Sequence, residues 1–262
     1  MISRRSFLAS VATGGVTTSA VTGRVAAERI DLDEIDDRFA HVETTHSEDL
    51  DILRRYQPLL VMQAENRKAF KYQLAYVARS AQYDTFACCY IARYTVQDGV
   101  GSGDSHLGDT EPVYVFVNED TGTPTEVVFS AWHWNAAGAF PTDANLSTGR
   151  TNSETHASLD VATPHHQYSL REDDRGVFYD LADWHDYRQR LVDNGLYDRG
   201  EPAAFEEPWT MTADHGDRAG WWTDEGAFQA GVPPEINTDY ALMRVWRLLG
   251  IRGAGTRQQD LR

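Results

Sequence analysis

The run Glu111-Pro112-Val113-Tyr114-Val115-Phe116-Val117-Asn118 is apolar at nearly every position and rich in β-branched and aromatic residues. Alternation would mark a strand with one wet face; an unbroken run of this length marks a strand covered on both. The turn-forming stretch Asn118 to Pro124 (NEDTGTP) follows, and Glu126 to Trp132 (EVVFSAW) returns. Two such runs around a turn containing Asn, Asp and Gly predict a β-hairpin. Upstream, Tyr83 to Val96 has the same composition and predicts a further strand.

Working outward, Ser47 to Tyr56 has helical spacing, with Leu50, Leu53 and Tyr56 on one side, Ser47 as N-cap and Pro58 as stop. Residues 183 to 194 read as helix ended by Asn194-Gly195. Thr238 opens a last amphipathic helix carrying Ala241, Leu242, Val245, Trp246 and Leu249 on one face. Ala136 to Thr163 reads as a long surface loop, and residues 200 to 236 show no clear period. There is no internal repeat. Strands in the centre and helices toward the end predict an α+β fold: a central antiparallel β-sandwich with peripheral helices. The expected organisation is a leader over 1–27, an acidic extended lead-in over 28–46, and a single domain over 47–262.

The leader follows from Ser3-Arg4-Arg5-Ser6-Phe7-Leu8, the pattern read by a twin-arginine translocase, with a mildly apolar stretch to Ala27 behind it. That stretch is broken by Gly14 and Gly15 and lacks the roughly 18 apolar residues a membrane span requires, so no stable transmembrane anchor is expected. Forty Asp and Glu stand against 24 Lys and Arg, a formal charge of −16, and Lys68 and Lys71 are the only lysines. Such self-repulsion is tolerable where salt screens it, the Debye length at molar salt being about 3 Å. The composition is that of a salt-adapted, secreted, halophilic-type protein. It argues against nucleic acid, whose phosphates require clustered Lys and Arg. Cys88 and Cys89 are adjacent in an apolar run and read as packed small hydrophobes.

One segment concentrates chemistry. From Asp98 to Glu111, 14 residues hold Asp98, Asp104, Asp109, Glu111 and His106, with Gly99, Gly101 and Gly103 letting the loop fold back. Asp109 and Glu111 are two apart at a strand start, so they leave on one face. His106 can join them from the loop, and Asp98 from the end of the preceding strand. Three carboxylates and an imidazole suit a hard divalent cation, Ca²⁺ or Mg²⁺ first and Mn²⁺ next; tetrahedral zinc more often takes added His or Cys.

Tyr94-Thr95-Val96-Gln97-Asp98, then His106-Leu107-Gly108-Asp109-Thr110-Glu111, resembles the hallmark region of the necrosis- and ethylene-inducing-peptide-like proteins. There a strand ending Tyr-x-x-Lys-Asp precedes Gly-His-Arg-His-Asp-Trp-Glu. The resemblance implies a cation held by Asp98, His106, Asp109 and Glu111. Phe129-Ser130-Ala131-Trp132-His133 resembles that family's Ser-x-His strand. Leu181-Ala182-Asp183-Trp184, with Gly200-Glu201-Pro202 and Pro208, resembles its closing segment. The likeness spans about residues 56 to 210. Gly108 replaces the second histidine, Thr110 replaces the tryptophan, and the N-terminal cysteines are absent. Family members lyse plant cells by binding membrane sphingolipid sugars; a salt-adapted exported protein has no evident plant target, so that activity is not carried over.

His133 and Asp104 are candidates for the surround of the site or for ligand contact. Trp132 and Trp134, flanking His133, are expected in core. His165-His166, after Pro164, could reach a cation but read as solvated loop. Trp221-Trp222 reads as packing, and Asp214-His215-Gly216-Asp217 as a turn. No Gly-x-Ser-x-Gly, His-Glu-x-x-His or phosphate-cradling loop is present in the sequence. The expectation is a secreted, cation-dependent binding protein for a glycan or lipid headgroup, with membrane damage as an extension of binding. A metal-dependent hydrolase and a cell-surface domain with a structural cation are the alternatives.

Overall fold

The computed structural model describes residues 31–97, 106–132, 135–140, 146–147, 155–171, 173–193, 202–212 and 228–229. In chain order the first elements are α1 (Leu32–Arg38), β1 (Glu43–Thr45), α2 (Leu50–Tyr56), β2 (Leu59–Met62), α3 (Ala64–Ala69) and β3 (Phe70–Arg79). The central strands are β4 (Thr85–Gln97), β5 (His106–Asn118), β6 (Pro124–Trp132) and β7 (Asn135–Ala139). Then come β8 (Leu146–Ser147), β9 (His156–Val161), β10 (Tyr168–Leu170), β11 (Leu181–Asp183), α4 (His185–Asp193), α5 (Pro202–Glu206) and β12 (Phe228–Gln229). A 3-10 turn, Pro208–Met211, follows α5.

The expected hairpin is present: β5 and β6 pair antiparallel from Val113↔Phe129 to Val117↔Pro124. Gly122 closes its turn at φ 64°, a left-handed backbone that favours glycine, and Tyr56 Oη donates to its carbonyl at 2.7 Å. Strands β3 to β7 form an antiparallel meander. At one edge β1 (antiparallel) and β11 (parallel) share β3; at the other β12 lies parallel to β7. A second sheet, β10-β9-β2 with β8 also on β9, covers one face of the first.

The face between the sheets is apolar: Ala75, Cys88, Tyr90, Val113, Val115 and Phe129 meet Leu60, Leu159 and Val161. The opposite face of the large sheet, with Leu74, Ile91, Tyr114 and Phe116, is covered by Ile35, Phe39, Trp184, Phe205 and Trp209. Burying each such aliphatic or aromatic side chain is worth about 1.5–3 kcal/mol. Two covered faces explain why β5 is apolar at successive positions. Cys88 and Cys89 are free and buried, one in each core. Buried tyrosine hydroxyls tie peripheral elements to the sheet: Tyr90 donates to Leu53 O at 2.6 Å and Tyr114 to Ala204 O at 2.7 Å.

The lead-in expected to be extended is instead helix α1 followed by an edge strand, with Asp31 capping through Asp33 N–H. Helix α2 begins at Leu50, not after Ser47; Asp49 precedes it, its carboxylate engaged by Arg79 at 2.5 Å and by the Thr45 hydroxyl. The expected surface loop over 136–163 contains β7, β8 and β9, and β9 buries Ala157, Leu159 and Val161. Residues 1–27, Trp134, Asp214 to Asp217, Trp221-Trp222 and the helix after Thr238 lie outside the described residues.

Candidate functional site

The β4–β5 register sets the candidate site. Asp109 stands opposite Tyr94 and Glu111 opposite Ala92. Tyr94 and Ala92 belong to the core between the sheets, so both carboxylates leave on that inner face, as period two requires. They are 8% and 6% exposed. Two acids so placed carry a large desolvation cost in ionised form unless a positive charge or donors compensate them.

His166 supplies one compensation. It lies in the turn between β9 and β10, at φ 61°, and is 3% exposed. Its ring stacks on Tyr94 with centroids 3.8 Å apart and planes within 1°. Its Nδ1 is 2.8 Å from Asp109 Oδ2, where Nδ1–H donates to the carboxylate. Tyr168 Oη donates to the backbone oxygen of Glu111 at 3.2 Å.

Burial pushes the Glu111 carboxyl well above the ordinary glutamate value; the Asp109 charge pushes the same way, and a hydrogen bond from Ser130 pulls it back. Burial likewise raises the Tyr94 and Tyr168 phenols, and both adjacent acids add to the shift. Burial lowers the Arg93 guanidinium, while Tyr72 and Asp109 favour its charge. At Gly108 a Cβ would meet Arg93 Nη2 at 3.6 Å, ordinary contact. Its φ of 70° is what asks for glycine, because a left-handed backbone costs other residues about 1–2 kcal/mol.

Of the six residues expected at the site, the structure brings Asp109 and Glu111 together. His106 is in β5, opposite Gln97, and not in a loop. Asp98, Asp104 and His133 lie outside the described residues. Among the described residues, no group of three or more His, Cys, Asp or Glu side chains is arranged to hold a metal ion. His165 and His166, read from sequence as solvated, are 1% and 3% exposed. The unbroken polar run Thr163-Pro164-His165-His166-Gln167 hid them; the one local signal was their place between Pro164 and the buried Tyr168.

No family model matches the chain, and no curated protein matches it. Three solved structures are similar. Necrosis and ethylene inducing protein 2, from the causal agent of cocoa's witches' broom disease, is 21% identical with a TM-score of 0.40 over 54% of this chain and 76% of its own. A toxin fold for microbial attack and plant defense is 19% identical at 0.39, over 53% and 75%. NLPPya in complex with mannosamine is 17% identical at 0.39, over 52% and 73%.

Proposed function

We propose that the protein is exported by the twin-arginine route and binds a polar glycan or lipid headgroup with the help of a divalent cation. The observation that carries this reading is the pair Asp109 and Glu111, desolvated on one inner face. Their oxygens suit Ca²⁺ or Mg²⁺, with Mn²⁺ next. Asp98 and His106 complete the ligand set that the sequence resemblance implies.

The chain's own groups prepare such a site. His166 holds the Asp109 carboxylate in one orientation, as a partner outside the ligand set does in known metal centres. Tyr168 anchors the Glu111 backbone and Ser130 its side chain. Burial and the Asp109 charge push the Glu111 carboxyl upward, and a bound cation would favour its ionised form, so that cation binding is linked to proton release. A bound cation would supply a positive point for ligand hydroxyls and neutralise the two acids.

The test is retention of the protein on immobilised mannosamine and on glycolipid-bearing vesicles at high KCl, with and without chelator. Retention that chelation abolishes supports the reading; no retention in either condition contradicts it. The depth of Asp109 and Glu111 favours a second reading, a purely structural cation. In that case Asp109→Ala lowers Tm in high salt and leaves retention unchanged.

A further inference from the structure

Asn66 in α3 is 1% exposed and lies outside every ligand set considered above. Both its N–H groups and its carbonyl oxygen are engaged by the turn that carries His166. Nδ2 donates to Val161 O at 2.9 Å and to Ala162 O at 3.2 Å, while Oδ1 accepts from the Thr163 hydroxyl at 2.9 Å. That pattern is chemically directional. Two carbonyls require a group with two N–H bonds, and a carboxylate there would set oxygen against oxygen. The turn is closed further by Ala162 N–H to Gln167 O at 2.7 Å and His166 N–H to Ala162 O at 2.9 Å.

The outcome of this bracing is an unusual backbone at His166. A non-glycine residue at positive φ costs on the order of 1–3 kcal/mol and persists only where its surroundings over-determine it. Here that conformation delivers the imidazole onto Tyr94 and against Asp109. The chain of contacts is continuous, from α3 through the β9–β10 turn to the acidic pair on β5.

We propose that Asn66 is a positioning residue for the Asp109–Glu111 site: it sets the turn that sets His166, which in turn orients Asp109. This rests on the cation reading above. A merely structural Asn66 would pin α3 to the small sheet, and its loss would lower stability without selective effect on His166.

The experiment is calcium titration into the chelator-treated chain at high KCl for wild type, Asn66→Ala, His166→Ala and the double variant, with ¹⁵N spectra of the imidazoles in metal-free protein. Each single substitution is expected to weaken calcium binding by about 10–100-fold, the range for such outer partners. In the His166→Ala background, Asn66→Ala is expected to add almost nothing, and alone it should displace the His166 imidazole signals. Additive losses, or unmoved His166 signals, overturn the proposal. Thr163→Val, which removes only the hydroxyl partner, gives the same two readouts if Asn66→Ala fails to fold. If wild type binds no calcium, the cation reading falls, and the metal-free His166 spectrum still decides whether Asn66 sets the imidazole.

Discussion

The two halves of β5 make the most instructive contrast in the molecule. From Val113 to Val117 its inner face presents Val113, Val115 and Val117 to the small sheet. Earlier along the same face the side chains are Glu111 and then Asp109, also buried, at 6% and 8% exposure against 0% for the three valines. Backbone pairing continues across the boundary: Ile91↔Pro112 and Ala92↔Glu111 follow Tyr90↔Val113 in unbroken register. The strand therefore does not end where its apolar character ends. The apolar half stabilises the fold by burial; the acidic half is stable only with compensation by His166, Ser130, a proton or a cation.

The largest way to sharpen this contrast is in the apolar half. Phe129→Ala, opposite Val113 in the core, should cost about 3–5 kcal/mol by urea denaturation. The loss should be the same with and without divalent cation. A cation-dependent loss would mean the two halves are not separable.

Glu111→Gln should do the reverse. Removing a desolvated carboxylate beside Asp109 should raise the Tm of chelated protein at neutral pH by a few degrees, while abolishing any rise in Tm on adding calcium. A lowered Tm in chelator would show that Glu111 is already well compensated.

The pH dependence follows in sign from the raised Glu111 value. Well below the ordinary glutamate value of about 4.3, Glu111 is protonated folded and unfolded, and its burial adds no charge. As pH rises, the unfolded chain loses this proton first, so stability of chelated protein falls between the ordinary value and the raised one. Asp49 and Asp183, both lowered, contribute in the opposite sense, their stabilisation being lost as pH falls. The difference in Tm between wild type and Glu111→Gln, followed across pH, isolates the Glu111 part; a flat difference would contradict it. The smallest effect is expected at the far end of the hairpin. Gly122→Ala, at φ 64°, should cost about 1–2 kcal/mol, unchanged by cation.

The contrast also explains what the sequence could disclose. The hairpin was legible because local pattern and tertiary burial agree over Val113 to Phe129. The shared face of Asp109 and Glu111 was legible because period two needs only strand identity. Helix α1 was not, because Asp33, Glu34, Asp36 and Asp37 mask the residues that dock it, Ile35 and Phe39 with Leu32. Strand β9 was hidden by its Ser-, Thr- and Asn-rich approach and by buried polar His156 and Ser158 within it. His166 was misread as solvated for a non-local reason. Its burial is created by Tyr94, 72 positions earlier in sequence, and by a turn braced from α3.

The most direct test of the acidic half is calorimetric titration of Ca²⁺, Mg²⁺ and Mn²⁺ into chelator-treated protein at high KCl, beside Asp109→Ala. One-site binding of at least one cation, abolished by the substitution, is the expected result. No binding of any of the three, or binding that Asp109→Ala leaves intact, would contradict a cation site on β5.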